Sequence, residues 1–406
     1  MARRLKLGLL GVGRRGKTHL SAIQGLADLY ELVALCDANE ASVRATGSRL
    51  GLKGYTDVEE FFSRERLEVV DIVTPAESHH LMARVAARHG AHMLIETPLA
   101  PSRAMMDFIG EAAARAGVEV EVAENFRRHP ETRLNRKALD AGVIGKVLRV
   151  TSFYEPIGQY GCYHLMSLLR FYAGAAVDEV RGFARQFPVE RVEGYSSLFD
   201  TETWTQASLS FANGVAGSCT YLSTWLTPLR QRHPHFTTVE GTAGFIAAGR
   251  REANTIYKVE HGAQAAYPMR TEGRREAGQE IPTRFYYETH PPLEYPNPFA
   301  ARPLNYADDW GAADVIAIAD ALTSLHQAVT GGRAPEYGSA DARLDQELSI
   351  AIGESARLQG QPVRLPLREE TAWEREQHER FRAQWGGDPF KDADRLIAAN
   401  FSDRRG

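Results

Sequence analysis

Two short stretches carry residues whose types and spacing could do chemistry. Near the start, the apolar run Leu5–Leu10 leads into Gly11-x-Gly13-x-x-Gly16. Glycines at this spacing suit a phosphate cradle: Gly11 permits a tight turn, Gly13 lets backbone approach a pyrophosphate, and Gly16 lets a helix pack closely on its strand. The helix that follows, expected to open near Lys17, offers free N–H groups to the anion. A second apolar run, "YELVALC", ends at Asp37, near the offset of about 20 residues that a dinucleotide fingerprint requires. A carboxylate there accepts hydrogen bonds from ribose hydroxyls and repels a 2′-phosphate, which favours NAD over NADP. Arg14 and Arg15 are the counter-signal, since either could face a 2′-phosphate. The second stretch is Leu94-Ile95-Glu96-Thr97-Pro98, where an apolar run ends in a carboxylate, a hydroxyl and a proline. Strand ends of this kind hold side chains rigidly beside an open loop, where ligands bind.

The elements that must position these residues follow the same alternation. "VEEFFSRERL" reads as a helix, "VVDIVTP" as a strand, "HLMARVAARHG" as a helix and "AHMLIETP" as a strand. "PSRAMMDFIGEAAARAG" is then a helix and "VEVEVAEN" a strand. Strands alternating with helices at this spacing imply right-handed crossovers and a parallel sheet. Thr74-Pro75 and Glu96-Thr97-Pro98 fall at carboxyl ends of its strands. After Asn125 the pattern changes. "TWTQASLSFANGVAGSCTYLSTW" alternates about an Asn213-Gly214 hairpin turn, and "HFTTVEGTAGFIAAG" and "NTIYKVEHG" add strand candidates. Residues 282–303, rich in proline and aromatics, read as an irregular arm. The expected fold class is α/β. It comprises an N-terminal Rossmann dinucleotide-binding domain (1–125), a C-terminal α+β domain with a large, mostly antiparallel open-faced sheet (126–367), and a charged helical tail (368–406).

Composition narrows the partners. With 406 residues, 43% hydrophobic and 25% charged, the chain can bury a large core. A net charge of -4 gives no reason to expect nucleic acid or an anionic membrane. No stretch approaches the roughly 20 apolar residues of a membrane span. Cys36, Cys162 and Cys219 lie far apart, with no CxxC pair, consistent with reduced thiols and a cytoplasmic setting. His233-Pro234-His235 invites a metal reading, but no third ligand stands at recognisable spacing, so no metal is expected.

From "GVGRRG", through "TPAESHHLMARVAARHGAHMLIETPLA" and "AENFRRHP", to "GSADARLDQELSIAIGESARLQGQPVRLPL", the chain resembles the Gfo/Idh/MocA oxidoreductase family over roughly residues 5 to 367. The resemblance implies NAD- or NADP-dependent chemistry on hydroxyls of sugars and cyclic polyols. Two departures stand out. The family's Glu-Lys-Pro loop reads Glu96-Thr97-Pro98, and its Asp-x-x-x-His pattern reads Tyr160-x-x-x-His164, with Ser167 where relatives often carry a further acid. Hydride removal from an alcohol also requires loss of the hydroxyl proton. Thr97 offers only a neutral hydrogen bond. Tyr160, with an ordinary pKa of about 10, is a poorer base than an imidazole near about 6.5. His164 is therefore the expected proton acceptor, with Tyr160, Thr97 and Tyr163 positioning the oxygen. Glu96 is expected at the nicotinamide ribose or ordering its loop, and Asn125 at the nicotinamide end or the substrate. His79, in the family's "TPxxxH" pattern, is expected near the cofactor or capping a helix. Arg127 and Arg128 are candidates for an anionic substrate or solvated linker charges.

Three functions share these features: a free-standing NAD dehydrogenase, a hydrolase or lyase that keeps its NAD and works by transient oxidation, and an NAD-binding protein without catalysis. A homodimer or homotetramer formed through the C-terminal sheet is the expected assembly.

Overall fold

The computed structural model describes residues 3–154, 162–188, 201–222, 236–249 and 254–402. Strands β1 (Leu5–Leu10), β2 (Tyr30–Cys36), β3 (Lys53–Tyr55), β4 (Val69–Ile72), β5 (His92–Ile95) and β6 (Val120–Val122) form a parallel sheet in the order β3-β2-β1-β4-β5-β6. The order reverses between β1 and β4, which opens a crevice at the carboxyl ends of both. Leu5, Leu7, Leu9, Val69, Val70, Ile72, Met93, Leu94 and Ile95 are all buried, as expected of strands covered by helices on both faces. Asp71 interrupts this run and is itself fully buried. Helix α1 (Arg14–Gly25) opens three residues earlier than Lys17, because Gly13 occupies the N-cap position with extended backbone. The helix Glu40–Leu50 and the short β3 have little periodicity to announce them; only Val43 and Gly47 of that helix are buried.

The second sheet joins β7 (Val147–Tyr154), β8 (Val177–Pro188), β9 (Thr201–Phe211), β10 (Ala216–Leu222), β11 (Phe236–Gly241), β12 (Gly244–Gly249), β13 (Thr255–Glu260) and β14 (Ala263–Pro268) with the later pair of residues Val363–Arg364. Its nine strands run β14-β13-β12-β11-β7-β10-β9-β8 and then Val363–Arg364, among the described residues. Every neighbouring pair is antiparallel except β7 and β10. The mostly antiparallel expectation therefore holds, and the β9–β10 hairpin turns at Gly214, whose φ of 83° is left-handed. The helices Tyr163–Ala173 and Ser339–Arg357 bury Leu165, Leu169, Leu348 and Ile352 in the core beneath this sheet.

The region 282–303 differs from expectation. Part of it is strand: β15 (Arg270–Glu276), β16 (Gln279–Tyr287) and β17 (Leu293–Pro296) make a small antiparallel sheet. Pro282 stands where the β15–β16 register shifts, a position that tolerates a missing N–H. The chain then folds over α1 of its own first domain. Thr18 donates to Asp308, Arg302 pairs with Asp28, and Leu304 packs so tightly on Gly25 that an added Cβ would lie 2.2 Å from it.

The tail also docks on the first domain. A Thr371–Glu374 capping box opens the helix Ala372–Trp385. Buried Arg103 bonds Glu374 and the carbonyls of Leu367 and Glu369, while Ser102 meets His378 at 2.7 Å. The helix Ala393–Phe401 contributes Leu396 and Ile397 to the same core. Cys36, Cys162 and Cys219 are free and buried. Among the described residues no helix is long and apolar enough to cross a membrane.

Candidate active site

The glycine loop is shaped by close contacts on one side and open space on the other. Gly11 has φ 104°, and a Cβ on it would lie 2.3 Å from the Val73 carbonyl oxygen. A Cβ on Gly16 would lie 2.2 Å from the Gly11 carbonyl oxygen, so α1 can approach only as glycine. A Cβ on Gly13 would meet nothing within 4 Å. The first turn of α1 has neither an acidic residue nor a side-chain cap, which leaves its N–H groups to an anion. Asp37 accepts from the N–H groups of Val12 and Asn39, both at 2.8 Å, and so holds the loop against the end of β2. Thr74 and Pro75 follow the Val73 backbone that walls the loop, with Ser78 donating to Thr74 Oγ1 at 2.9 Å. These residues fit a dinucleotide.

Arg14 and Arg15 take other partners. The guanidinium of Arg14 lies 5.0 Å from the Trp310 ring centroid and that of Arg15 5.3 Å from it. Arg15 pairs with Glu96 and, at 3.2 Å, with Asp314. Two carboxylates thus neutralise Arg15, while Arg14 packs on the Trp310 ring.

A chain of buried charges runs behind the strand ends. His19 Nδ1 lies 2.9 Å from Asp71 Oδ2, and Nε2 lies 3.1 Å from Glu96 Oε1. Burial favours the neutral ring, but the two carboxylates outweigh it and raise the His19 pKa to about 9. Burial alone would raise Glu96; Arg15 and His19 instead hold it well below the usual carboxylate range. Thr97 donates to Glu96 Oε2 through both its N–H and its hydroxyl, the latter at 3.0 Å, and the Thr97–Pro98 bond is cis. The cations nearest Glu96 thus come from α1. Asp314 receives Asn125 Nδ2 and His129 as well as Arg15, and against the effect of burial they lower its pKa to about 2. Among the described residues Asn125 Oδ1 is buried without a hydrogen-bond partner, an acceptor left for a further donor.

His164 stands in the first turn of the helix Tyr163–Ala173. Its ring lies parallel to Phe126, with centroids 4.5 Å apart and 15° between planes. Its Nδ1 is 2.8 Å from Oε2 of Glu124, a fully buried carboxylate that also accepts from the Phe126 N–H at 3.1 Å. The side chain of His164 is 29% exposed, and among the described residues its Nε2 has no hydrogen-bond partner. Burial lowers its pKa, but Glu124, with help from Glu96 and against Arg15, raises it overall. Sequence reasoning missed Glu124; the available signal was the one used for Glu96, a carboxylate at the carboxyl end of a parallel strand.

Four further candidate residues are engaged by partners within the fold. Tyr163 is buried, its hydroxyl 2.6 Å from that of Tyr337; adjacent residues of a helix point about 100° apart, so His164 and Tyr163 cannot share a face. His79 is fully buried with Nε2 2.8 Å from the Thr74 carbonyl and Nδ1 3.1 Å from that of Leu99, so it ties two strand-end loops together and offers no ring edge to a cofactor. Arg127 lies between the rings of Phe171 and Tyr337, 5.0 Å from each, and Arg128 is buried against Glu121 and Asp320. Neither is a solvated linker charge, because the segment 126–128 passes beneath the helix Ala312–Gly331. Tyr160 and His233-Pro234-His235 lie outside the described residues.

A glycine cradle at the strand ends thus faces a histidine from a second, sheet-bearing domain, a two-domain arrangement suited to a dinucleotide. Residues 5–124 match the model of the Gfo/Idh/MocA oxidoreductase family, NAD-binding Rossmann fold. D-Apiose dehydrogenase of Paraburkholderia graminis is 38% identical over 144 residues, 35% of this chain and 38% of that protein. Inositol 2-dehydrogenase of Rhizobium meliloti is 32% identical over 151 residues, 36% and 44% of the two chains. The chain therefore aligns with less than half of the length of these curated relatives. Among solved structures, levoglucosan dehydrogenase in complex with NADH and L-sorbose superimposes with a TM-score of 0.69 at 22% identity, over 91% of this chain and 100% of that one. This last likeness establishes the fold of both domains.

Proposed function

We propose that the chain is an NAD-dependent oxidoreductase acting on a hydroxyl or ketone of a sugar, cyclic polyol or related compound, with His164 taking up or returning the hydroxyl proton. One observation carries the reading: an imidazole with one nitrogen held by a buried carboxylate and the other open, beside the strand ends that bear the dinucleotide cradle. Gly11, Gly13, Gly16 and the N-terminus of α1 would hold the pyrophosphate, and Asp37 the adenosine ribose. Thr74, Pro75 and Glu96 would wall the nicotinamide side. NAD, when bound, supplies the hydride acceptor.

The residues of the chain do the rest. A carboxylate can only accept, so Nδ1 of His164 carries the hydrogen toward Glu124 and the lone pair on Nε2 is free to accept the alcohol proton. Phe126 holds the ring plane. Asn125 Oδ1 suits a carboxamide N–H or a substrate hydroxyl. Thr97, whose hydroxyl can also accept, would align the substrate oxygen, a role for which Tyr160 is the second candidate. The sheet face carrying Phe183 and Phe187 of β8, 54% and 49% exposed, supports a homodimer or homotetramer.

Mass spectrometry of nucleotide released from freshly purified, denatured protein tests the reading. Empty protein that takes up NAD in a later titration, and then forms NADH with a member of a sugar and polyol panel, is the expected result. Near-stoichiometric retained NAD with no net NADH formation would instead favour the transient-oxidation hydrolase or lyase. Failure to take up NAD would remove both.

A further inference from the structure

We propose that Glu124 is a positioning residue for His164, supplying from the end of β6 the carboxylate that the helix of His164 does not carry. That helix has Ser167 three residues on, buried with its hydroxyl unpartnered among the described residues, and tyrosine stands at position 160. The acid arrives from another element. Glu124 follows β6 directly, its N–H bonded to the Val122 carbonyl, so the strand end fixes its backbone.

Two features argue that this carboxylate serves the histidine rather than the fold. A buried carboxylate is costly unless paired. Three other buried acids have arginine partners, Glu121 with Arg128, Asp345 with Arg170 and Glu374 with Arg103, whereas Asp71, like Glu124, is paired with a histidine, His19. Among the described residues, the one ion-pair partner of Glu124 is His164, at 2.8 Å. Its other oxygen is occupied by the Phe126 N–H, which aims Oε2 at the ring. The partner ring is in turn clamped flat on Phe126, so both groups of the pair are held while Nε2 stays open.

The charged groups facing His164 come from several elements. Glu124 and Glu96, at the ends of β6 and β5, favour the imidazolium; Arg15, from α1, opposes it. Elsewhere around the helix, Arg170 is paired with Asp345, Arg136 with Asp140 and Arg128 with Glu121, while Arg127 lies between Phe171 and Tyr337. Glu124 therefore fixes the tautomer that leaves Nε2 unprotonated, and stabilises the imidazolium as the proton arrives.

The kinetic consequence rests on the dehydrogenase reading; the pairing does not. The experiment compares wild type, Glu124→Gln and Glu124→Asp as full-length protein. The His164 Cε1–H resonance is titrated by NMR, assigned with His164→Gln, alongside the pH profile of kcat/KM on the best panel substrate and NAD affinity by calorimetry. Glutamine keeps an acceptor for Nδ1–H but removes the charge. The His164 pKa should fall by about one unit or more. The acid limb of kcat/KM should move down with it and the plateau should drop on the order of tenfold to a hundredfold, with NAD affinity unchanged and Glu124→Asp intermediate. An unmoved His164 titration in Glu124→Gln overturns the inference, and Glu124→Asp provides the same reading if glutamine prevents folding. A His164 titration that moves in a protein oxidising no panel alcohol leaves the pairing standing and fails the dehydrogenase reading instead.

Discussion

Arg15 Nη1 and Asp314 Oδ2 stand 3.2 Å apart, which joins the second residue of the cofactor helix to the first turn of a helix almost three hundred residues later. Asp314 is 7% exposed and Arg15 21%, so removing one partner strands a charge in a poorly solvated place. Asp314→Asn should cost about 3 kcal/mol by denaturant unfolding, in the range for broken buried pairs. Its acid dependence has a definite sign. The folded-state pKa is depressed to about 2 from an ordinary 3.8, so the stabilisation is present above the ordinary value and is lost as pH falls through about 2. Wild type minus Asp314→Asn stability should shrink over that window; a constant difference would assign the loss to packing.

His19 gives the opposite pH dependence. Its folded-state pKa is raised from 6.5 to about 9, which corresponds to on the order of 3 kcal/mol. This contribution is fully present below about 6.5 and disappears as pH rises through about 9. Unfolding free energies at pH 6 and pH 10 should differ by an amount that His19→Gln removes. Equal values in both proteins would mean that Asp71 and Glu96 do not hold an imidazolium.

Gly13→Ala separates folding from cofactor binding. The added Cβ meets no protein atom within 4 Å and the backbone, at φ -64°, is ordinary for alanine. Tm should be unchanged within error while NAD affinity falls on the order of tenfold or more, measured by calorimetry. Gly16→Ala, whose Cβ would collide with the Gly11 carbonyl, should damage both.

His164→Ala should abolish turnover and leave NAD affinity nearly intact. The ring is one-third exposed at most and lies on Phe126 outside the glycine cradle, so its loss opens no cavity in the first domain's core. Surviving turnover would make His164 structural.

Thr97→Lys introduces a cation at the end of β5, beside Glu96. Glu96, already facing Arg15 and His19, lies within reach of it. Any dehydrogenase activity should be unchanged or raised. A large loss in kcat, with Tm preserved, would place the threonine hydroxyl itself in the mechanism.

The amino-acid sequence by itself determined the parallel sheet, the glycine cradle with Asp37 and the β9–β10 hairpin. Each depends on neighbours within a few residues: periodicity, glycine placement, a turn dipeptide. What only the tertiary structure decided is where side chains of distant segments point. Arg15 could not be assigned to Glu96 and Asp314, nor Glu124 to His164, because those partners converge only when strand ends, arm and second-domain helix are packed together. Tyr163 and His164 are adjacent in sequence, yet the helix turns one into the core and the other toward the cradle. Arg127 and Arg128 look like a solvated basic linker until a later helix closes over them. Burial sets the strength and partner of every such charge, and burial is a property of the packed chain rather than of any local stretch.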